Sequence, residues 1–149
     1  MGYSTDYKGK LLFTRELTSK ELAFLKKMLG EDVREHKEWG DPDVFTGRGL
    51  YYIDFELTPD FDGIQWDGAE KFNGAVEAVN LIIDKMKTAS PDFGLKGSIN
   101  AQGEDVDDRW RLTIEKGRAV RIDVKPKGKK IKCPHCGEYF YYDCEKGGN

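Results

Sequence analysis

The sequence predicts an α+β fold: a mostly antiparallel sheet with two helices packed on one face, followed by a small cysteine-bearing tail. Segments with apolar residues at every second position, which are typical of half-buried strands, outnumber the two segments with helical periodicity. The strand-like segments follow one another in runs, which favours α+β over a parallel α/β sheet. All three cysteines lie within the last 17 residues.

The first strand and the first helix are clearly marked. Residues 5–14 alternate between apolar and polar positions, as expected of a strand. Thr18 and Glu21 form a capping-box pair, so a helix should begin there, and Gly30 offers an end. Residues 31–48 are mostly polar and contain Gly and Pro, so we expect a loop with a short turn of helix around 32–37.

The middle of the chain predicts two strands and the main helix. Residues 50–57 should form a strand, and residues 64–66 a shorter one. The side chains expected on the buried face of the longer strand are Tyr51, Ile53, Phe55 and Leu57. Asp67 and Glu70 resemble a second capping pair, so the helix should begin there and pack on the sheet. Its apolar face should comprise Phe72, Val76, Val79, Ile83 and Met86.

Three further strands complete the predicted sheet. Apolar residues alternate within 95–101, 110–114 and 120–124, and Lys116–Gly117 should form a tight hairpin loop between the last two. In the last strand we expect Val120, Ile122 and Val124 to share the buried face. The alternation stops before Pro126, where the sheet should end.

Charge divides the chain into an acidic body and a basic segment. The whole chain carries a net charge of −3, residues 1–117 carry −7, and residues 118–132 carry +6. This change of sign near the last strand indicates a boundary between units. The predicted units are an α+β domain at 1–124, a basic linker at 125–132 and a cysteine knuckle at 133–149.

The tail carries the clearest chemical signature. Cys133 and Cys136 have the spacing of half a tetrahedral zinc site, and Cys144 is a third donor, so we predict zinc as a cofactor. The Cys-Pro-x-Cys-Gly pattern resembles a zinc ribbon or zinc-knuckle module that lacks one ligand. The candidates for the fourth ligand are His135, Asp143, Glu145, His36 and a residue of a second chain, which would make a homodimer. A metal-free tail with free thiols is the alternative.

The basic linker and the aromatic tail together offer a surface for nucleic acid. The residues concerned are Lys125, Lys127, Lys129, Lys130 and Lys132 of the linker, and Tyr139 and Tyr141 of the tail. Lysines neutralise phosphates and aromatic rings stack on bases, so this combination suits nucleic-acid binding. A solubilising spacer is the alternative, and the acidic body would repel a nearby phosphate backbone.

Most catalytic patterns are absent from the sequence. The chain has two histidines and lacks the nucleophile elbow, the phosphate-binding glycine loop and the paired-histidine zinc motif. The acidic segments 104–108 and 60–63 lack the ligand spacing of a calcium loop and indicate solvated turns. We therefore expect a non-enzymatic protein, although a pair of catalytic carboxylates leaves no local pattern.

No apolar run is long enough for a membrane span or a signal peptide, which predicts a cytoplasmic protein.

Three segments of the body resemble a group of small uncharacterised proteins encoded by tailed bacteriophages and prophages. The segments are Met1–Tyr7 with Gly9, Ile64–Phe72 and Gln102–Arg109. The resemblance implies a genomic setting and supplies no catalytic residues, and the cysteine tail departs from the group. Small phage accessory proteins often bind and redirect a host protein.

These observations lead to two main functional hypotheses and to a third, an enzyme that uses carboxylates of the acidic loops or a zinc ion held by the three tail cysteines. In the first, a non-enzymatic phage or prophage accessory protein in the host cytoplasm binds a host macromolecule, such as a host protein. It would inhibit a component of host defence or gene expression through its acidic body, which could meet a basic surface. The alternative is a zinc-dependent, nucleic-acid-binding regulator that uses the basic linker and the aromatic tail.

Overall fold

The computed structural model describes residues 4–124, 129–132 and 139–142. Its strands are β1 (Thr5–Phe13), β2 (Phe55–Leu57), β3 (Gly63–Trp66), β4 (Leu95–Gly103), β5 (Arg109–Glu115), β6 (Arg118–Asp123), β7 (Lys129–Lys132) and β8 (Tyr139–Tyr142). Its helices are α1 (Ser19–Lys26), α2 (Pro42–Gly47) and α3 (Ala75–Ala89), with 3₁₀ turns at Val33–Glu35 and Lys37–Trp39. This arrangement confirms the predicted α+β class.

Strands β1 to β6 form one antiparallel sheet in the order β2-β3-β1-β4-β5-β6. The first strand of the chain therefore lies inside the sheet, where it pairs with β4 from Thr5↔Gly103 to Phe13↔Leu95. On its other side β1 pairs with β3, and Gly63 lies so close to it that a Cβ atom there would be 2.0 Å from the Leu11 carbonyl oxygen. Only glycine permits this approach of the two backbones.

Helix α3 covers one face of the sheet and completes the core. Its buried side chains are Ala75, Ala78, Val79, Leu81, Ile82, Ile83 and Met86. They pack in one cluster with inward-facing strand residues such as Leu11, Ile99 and Leu112. The Asn80 amide bonds the backbone of Ala119 in both directions, at 2.8 and 3.1 Å, which fixes the helix against β6.

Helix α1 begins as predicted. The Thr18 hydroxyl accepts from the Glu21 backbone N–H at 3.2 Å, and the Glu21 carboxylate accepts from the Thr18 N–H at 2.8 Å. This reciprocal pair is the capping box that the sequence indicates. The helix ends at Lys26, four residues before Gly30, which lies in a left-handed conformation in the following turn.

The start of the main helix is a correction. Helix α3 begins at Ala75 and not at Asp67, because Gly68 and Lys71 have positive φ angles that interrupt a helix. The Asp67 carboxylate instead caps a turn, where it accepts from the Ala69 N–H at 2.9 Å. Phe72 is buried in the core from this loop and not from the helix.

Two strand predictions are also corrected in their details. Only residues 55–57 of the predicted strand at 50–57 belong to the sheet, and Tyr51 is 45% exposed. In β6 the buried residue is Ala119, which pairs with Ile114, whereas Ile122 is 41% exposed. The register with β5 therefore reverses the face of β6 that we expect to be buried from the apolar residues of that strand.

The predicted loop at 31–48 contains helix α2, which Asp41 caps.

The last two described strands form a separate hairpin. Strand β7 pairs antiparallel with β8, so residues 129–132 of the predicted linker are in a strand.

None of the helices in the described part of the chain has the length and apolarity that a membrane crossing requires.

Candidate functional site

The tail residues that the sequence singles out divide into two groups. Cys133, Cys136, Cys144, Lys125 and Lys127 lie outside the described residues. The remaining predicted positions lie in the hairpin, where the register sets Lys129 opposite Tyr142, Lys130 opposite Tyr141 and Lys132 opposite Tyr139. The hairpin thus brings basic and aromatic positions together in neighbouring strands.

The described ranges 4–124, 129–132 and 139–142 contain no group of three or more His, Cys, Asp or Glu residues that could hold a metal ion. The acidic loop at 104–108 is one of the segments to which this applies. His36 is a weak candidate for the fourth zinc ligand, because its ring nitrogens lie 2.8 Å from a Glu38 carboxylate oxygen and 3.0 Å from one of Glu31. Its ring also stacks on Trp39, with 3.9 Å between the centroids.

The second face of the sheet is the broadest candidate surface. Side chains alternate between the two faces of a strand, so the register assigns every second residue of the central strands to the side away from α3. We call these residues of β1, β4 and β5 the open face. They are Asp6, Lys8, Lys10, Leu12, Lys96, Ser98, Asn100, Gln102, Arg109, Arg111, Thr113 and Glu115. None of them is buried.

The open face has the opposite charge to the body that carries it. It holds five basic residues and two acidic ones, whereas residues 1–124 as a whole carry a net charge of −6. Most acidic residues therefore lie in the loops and on the helical side. The net negative charge of the body led us to expect that it meets a basic surface of a partner. The open face, however, is complementary in charge to an acidic surface.

Two cross-strand rows form the most organised part of the open face. One row runs from Lys8 through Asn100 to Arg111, and the next from Asp6 through Gln102 to Arg109. The side-chain carbonyl of Gln102 accepts from Arg109 Nε at 2.7 Å, and that of Asn100 accepts from Arg111 Nε at 3.2 Å. The amides thus hold both guanidinium groups in place through one nitrogen each.

A shallow depression of about 410 Å³ lies over these two rows. Its polar lining consists of Asp6, Lys8, Asn100, Gln102, Arg109 and Arg111. Val124 contributes to its rim, where its N–H donates to the Arg109 carbonyl at 3.0 Å. In the sequence, the basic segment 125–132 follows Val124 directly. The depression therefore lies where the body leads into the lysine-rich segment.

A second depression, of about 290 Å³, surrounds Asp54. Burial, with a smaller contribution from the nearby Asp67 carboxylate, raises the pKa of Asp54 to about 6. A carboxyl with a raised pKa in a cleft is a possible general acid or base. The tyrosines beside it, Tyr51 and Tyr52, face the Arg34 guanidinium at 5.4 and 5.7 Å from their ring centroids.

The Tyr7 side chain contacts a lining residue of each depression, Trp110 of the first and Phe72 of the second, and has a structural role. Its hydroxyl donates to the Phe72 carbonyl oxygen, and its ring makes edge-on contacts with Trp66 and Trp110 at 5.5 and 5.8 Å between centroids. Burial raises the pKa of Tyr7 well above its ordinary value, so the phenol stays protonated and keeps donating.

No protein-family model, curated protein or solved structure matches this chain.

Sequence reasoning missed both depressions. The open face could have been found from the polar half of each strand pattern, since Lys8, Asn100, Gln102, Arg109 and Arg111 alternate with the apolar positions that predict the strands. Which strands lie side by side, however, depends on the sheet order. Asp54 gave no signal, because its burial depends on loops that are distant in sequence.

Proposed function

We propose that this protein is a non-enzymatic binding protein that contacts a macromolecule through the open face of its sheet. The observation that supports the proposal is the contrast between the two faces. One is covered by α3, whereas the other exposes five basic side chains and two amides on three adjacent strands. A broad charged surface of this kind suits an extended partner better than a small substrate.

The biological setting that we propose rests on the resemblance to phage and prophage proteins. The partner would then be a macromolecule of the host, in the host cytoplasm, and binding would inhibit a defence or gene-expression component. The positive sign of the open face narrows this hypothesis to a negatively charged region of the partner.

An affinity capture with matched variants tests the proposal. The tagged full-length chain is incubated with a host-cell lysate, with and without nuclease, next to an open-face variant that carries Lys8→Glu and Lys96→Glu. The control variant carries Lys20→Glu on helix α1 and Lys27→Glu at the C-cap of that helix, and both lysines are exposed. We expect the wild type and the control to retain the same molecules and the open-face variant to lose them.

The proposal would be wrong if the open-face variant retained the same molecules as the wild type. It would also be wrong if the wild type retained nothing that a tag-only sample does not. Circular dichroism of all three proteins checks that the substitutions leave the fold intact.

The β7–β8 hairpin supports a second candidate function, the zinc-dependent binding of nucleic acid by the tail. Its register sets lysine positions opposite tyrosine positions, so that phosphate-neutralising and base-stacking residues occupy one short element. In this candidate, Cys133, Cys136 and Cys144 would hold a zinc ion that stabilises the tail.

A further inference from the structure

We infer that Arg109, Arg111 and Lys8 bind successive phosphates of a single-stranded nucleic acid laid across the open face. The inference rests on the proposed function, since it identifies the partner of the same surface. It differs from the second candidate function because it assigns the contact to the body of the protein and not to the tail.

The first observation concerns how the arginines are paired. Residues 4–124 contain seven arginines, and five of them form an ion pair with a carboxylate: Arg15, Arg34, Arg48, Arg118 and Arg121. The side chains of Arg109 and Arg111 instead donate to the neutral amides of Gln102 and Asn100, which orient each guanidinium group without neutralising its charge. An oriented guanidinium group of this kind is well suited to a phosphate.

The second observation is the spacing of the three cations. Arg109 and Arg111 are two residues apart on one strand, so their backbones are separated by about 7 Å along the strand. Lys8 is two strands away from Arg111, at about 10 Å across the sheet. This spread is too wide for a single phosphate group, whereas it suits an anion that carries a charge on each repeating unit.

The third observation favours nucleic acid over an acidic protein. The rim residue Val124 leads into a segment with lysines at five of its eight positions, and part of that segment pairs in register with aromatic positions of β8. In the sequence, lysines therefore follow Val124, and the strand that pairs with β7 carries tyrosines, whose rings can stack on unpaired bases. An acidic peptide has no bases that could stack on these rings, and in a duplex the faces of the bases are not accessible for stacking.

One residue of the depression opposes this partner and provides a test of opposite sign. Asp6 lies in the same row as Gln102 and Arg109 and is the only carboxylate among the described lining residues. A phosphate bound between Arg109 and Lys8 would be repelled by it. Removing the Asp6 charge should therefore strengthen binding. A substitution that damaged the fold would weaken binding instead.

The experiment measures binding of the full-length chain to a fluorescent oligouridylate of about 20 nucleotides over a range of salt concentrations. The site variant carries Arg109→Gln and Arg111→Gln, and the charge-matched control carries Lys20→Gln and Lys27→Gln. A tail variant carries Lys129→Gln, Lys130→Gln and Lys132→Gln. Asp6→Asn is the fourth protein, and polyglutamate of similar length is the competing acidic polymer.

We expect the site variant to bind at least about tenfold more weakly and to reduce the slope of log K against log salt by about 1.4, the value for two lost contacts to a single strand. Asp6→Asn should bind about two- to threefold more tightly, by removal of one repulsive charge near the surface. The control should match the wild type, and polyglutamate should compete poorly.

Three results would overturn the inference. If only the tail variant lost binding, the contact would have to be assigned to the hairpin. If polyglutamate competed efficiently, the partner would be an acidic protein. Absence of oligonucleotide binding would exclude nucleic acid altogether. In that last case the proposed function would still stand if the open-face variant lost its partner in the lysate capture, so the two failures are distinguishable.

Discussion

At the scale of single residues, the hydrogen bonds of a buried hydroxyl group fix one turn of the sheet. The Thr58 hydroxyl is almost fully buried, and it accepts from the backbone N–H groups of Asp62 and Gly63 at 3.0 and 3.1 Å. It also donates to the Asp62 carboxylate at 2.5 Å. These bonds fix the turn between β2 and β3, and thus the position of Gly63 against β1. No buried side-chain nitrogen or oxygen among the described residues lacks a partner.

Asp54 should reduce the stability of the protein at neutral pH. Its pKa is raised from 3.8 to about 6 in the folded state, so the folded protein binds this proton more tightly than the unfolded chain does. Stability is therefore lost as the pH rises through this interval, and the loss is complete above it. Replacement by asparagine, which is neutral at every pH, should remove the loss.

We expect Asp54→Asn to raise the free energy of unfolding by about 1–2 kcal/mol near pH 7, a value reduced from the full shift because the side chain is partly exposed. Near pH 4 the variant and the wild type should be almost equally stable. Urea denaturation followed by tryptophan fluorescence measures both values. Asp60→Asn, at an exposed position of the β2–β3 turn, is the control, and an equal gain at both pH values would contradict the explanation.

At the scale of secondary-structure elements, the sequence predicted the elements whose signals are local. The capping box of α1, the Lys116–Gly117 hairpin and the apolar alternation of β4 and β5 all depend on residues close together in the chain. The start of α3 was misplaced because Asp67 and Glu70 imitate a cap, whereas the positive φ angles of Gly68 and Lys71 prevent a helix from beginning there. The face of β6 was misassigned because pairing with β5 fixed its register.

The local signal of α1 can be tested directly. Thr18→Ala removes the hydroxyl that accepts from the Glu21 N–H, and loss of an N-cap side chain costs about 1 kcal/mol. We expect a decrease of that size in the free energy of unfolding, measured by urea denaturation. The control is Ser19→Ala at the next position, which is exposed and should change stability by less than about 0.5 kcal/mol. Equal effects of the two substitutions would show that the cap contributes nothing specific.

At the scale of the whole molecule, the candidate surface arises from an uneven distribution of charge that composition hides. A net charge of −3 says nothing about a positively charged sheet face, because the acidic residues are concentrated elsewhere. Strand membership could be predicted from alternation, but the neighbours of Lys8 and Arg111 could not. They meet only through the pairing of β1 with β4 and of β4 with β5.

The zinc prediction concerns the chain as a whole. If Cys133, Cys136 and Cys144 bind the metal, purified full-length protein should contain about one zinc ion per chain, and Cys133→Ser should contain much less. Elemental analysis of protein dialysed against metal-free buffer measures the content. His36→Asn is the matched control and should keep its zinc, since Glu31 and Glu38 engage both ring nitrogens. A wild type without zinc would exclude the site.

The position of β1 has a consequence for the synthesis of the protein. Strand β1 leaves the ribosome before both of its neighbours in the sheet, which lie at Gly63–Trp66 and Leu95–Gly103. Its backbone groups therefore stay without strand partners until most of the body has been translated, since contacts so distant in sequence form late. During that time the unpaired β1 segment is exposed to chaperones and to aggregation.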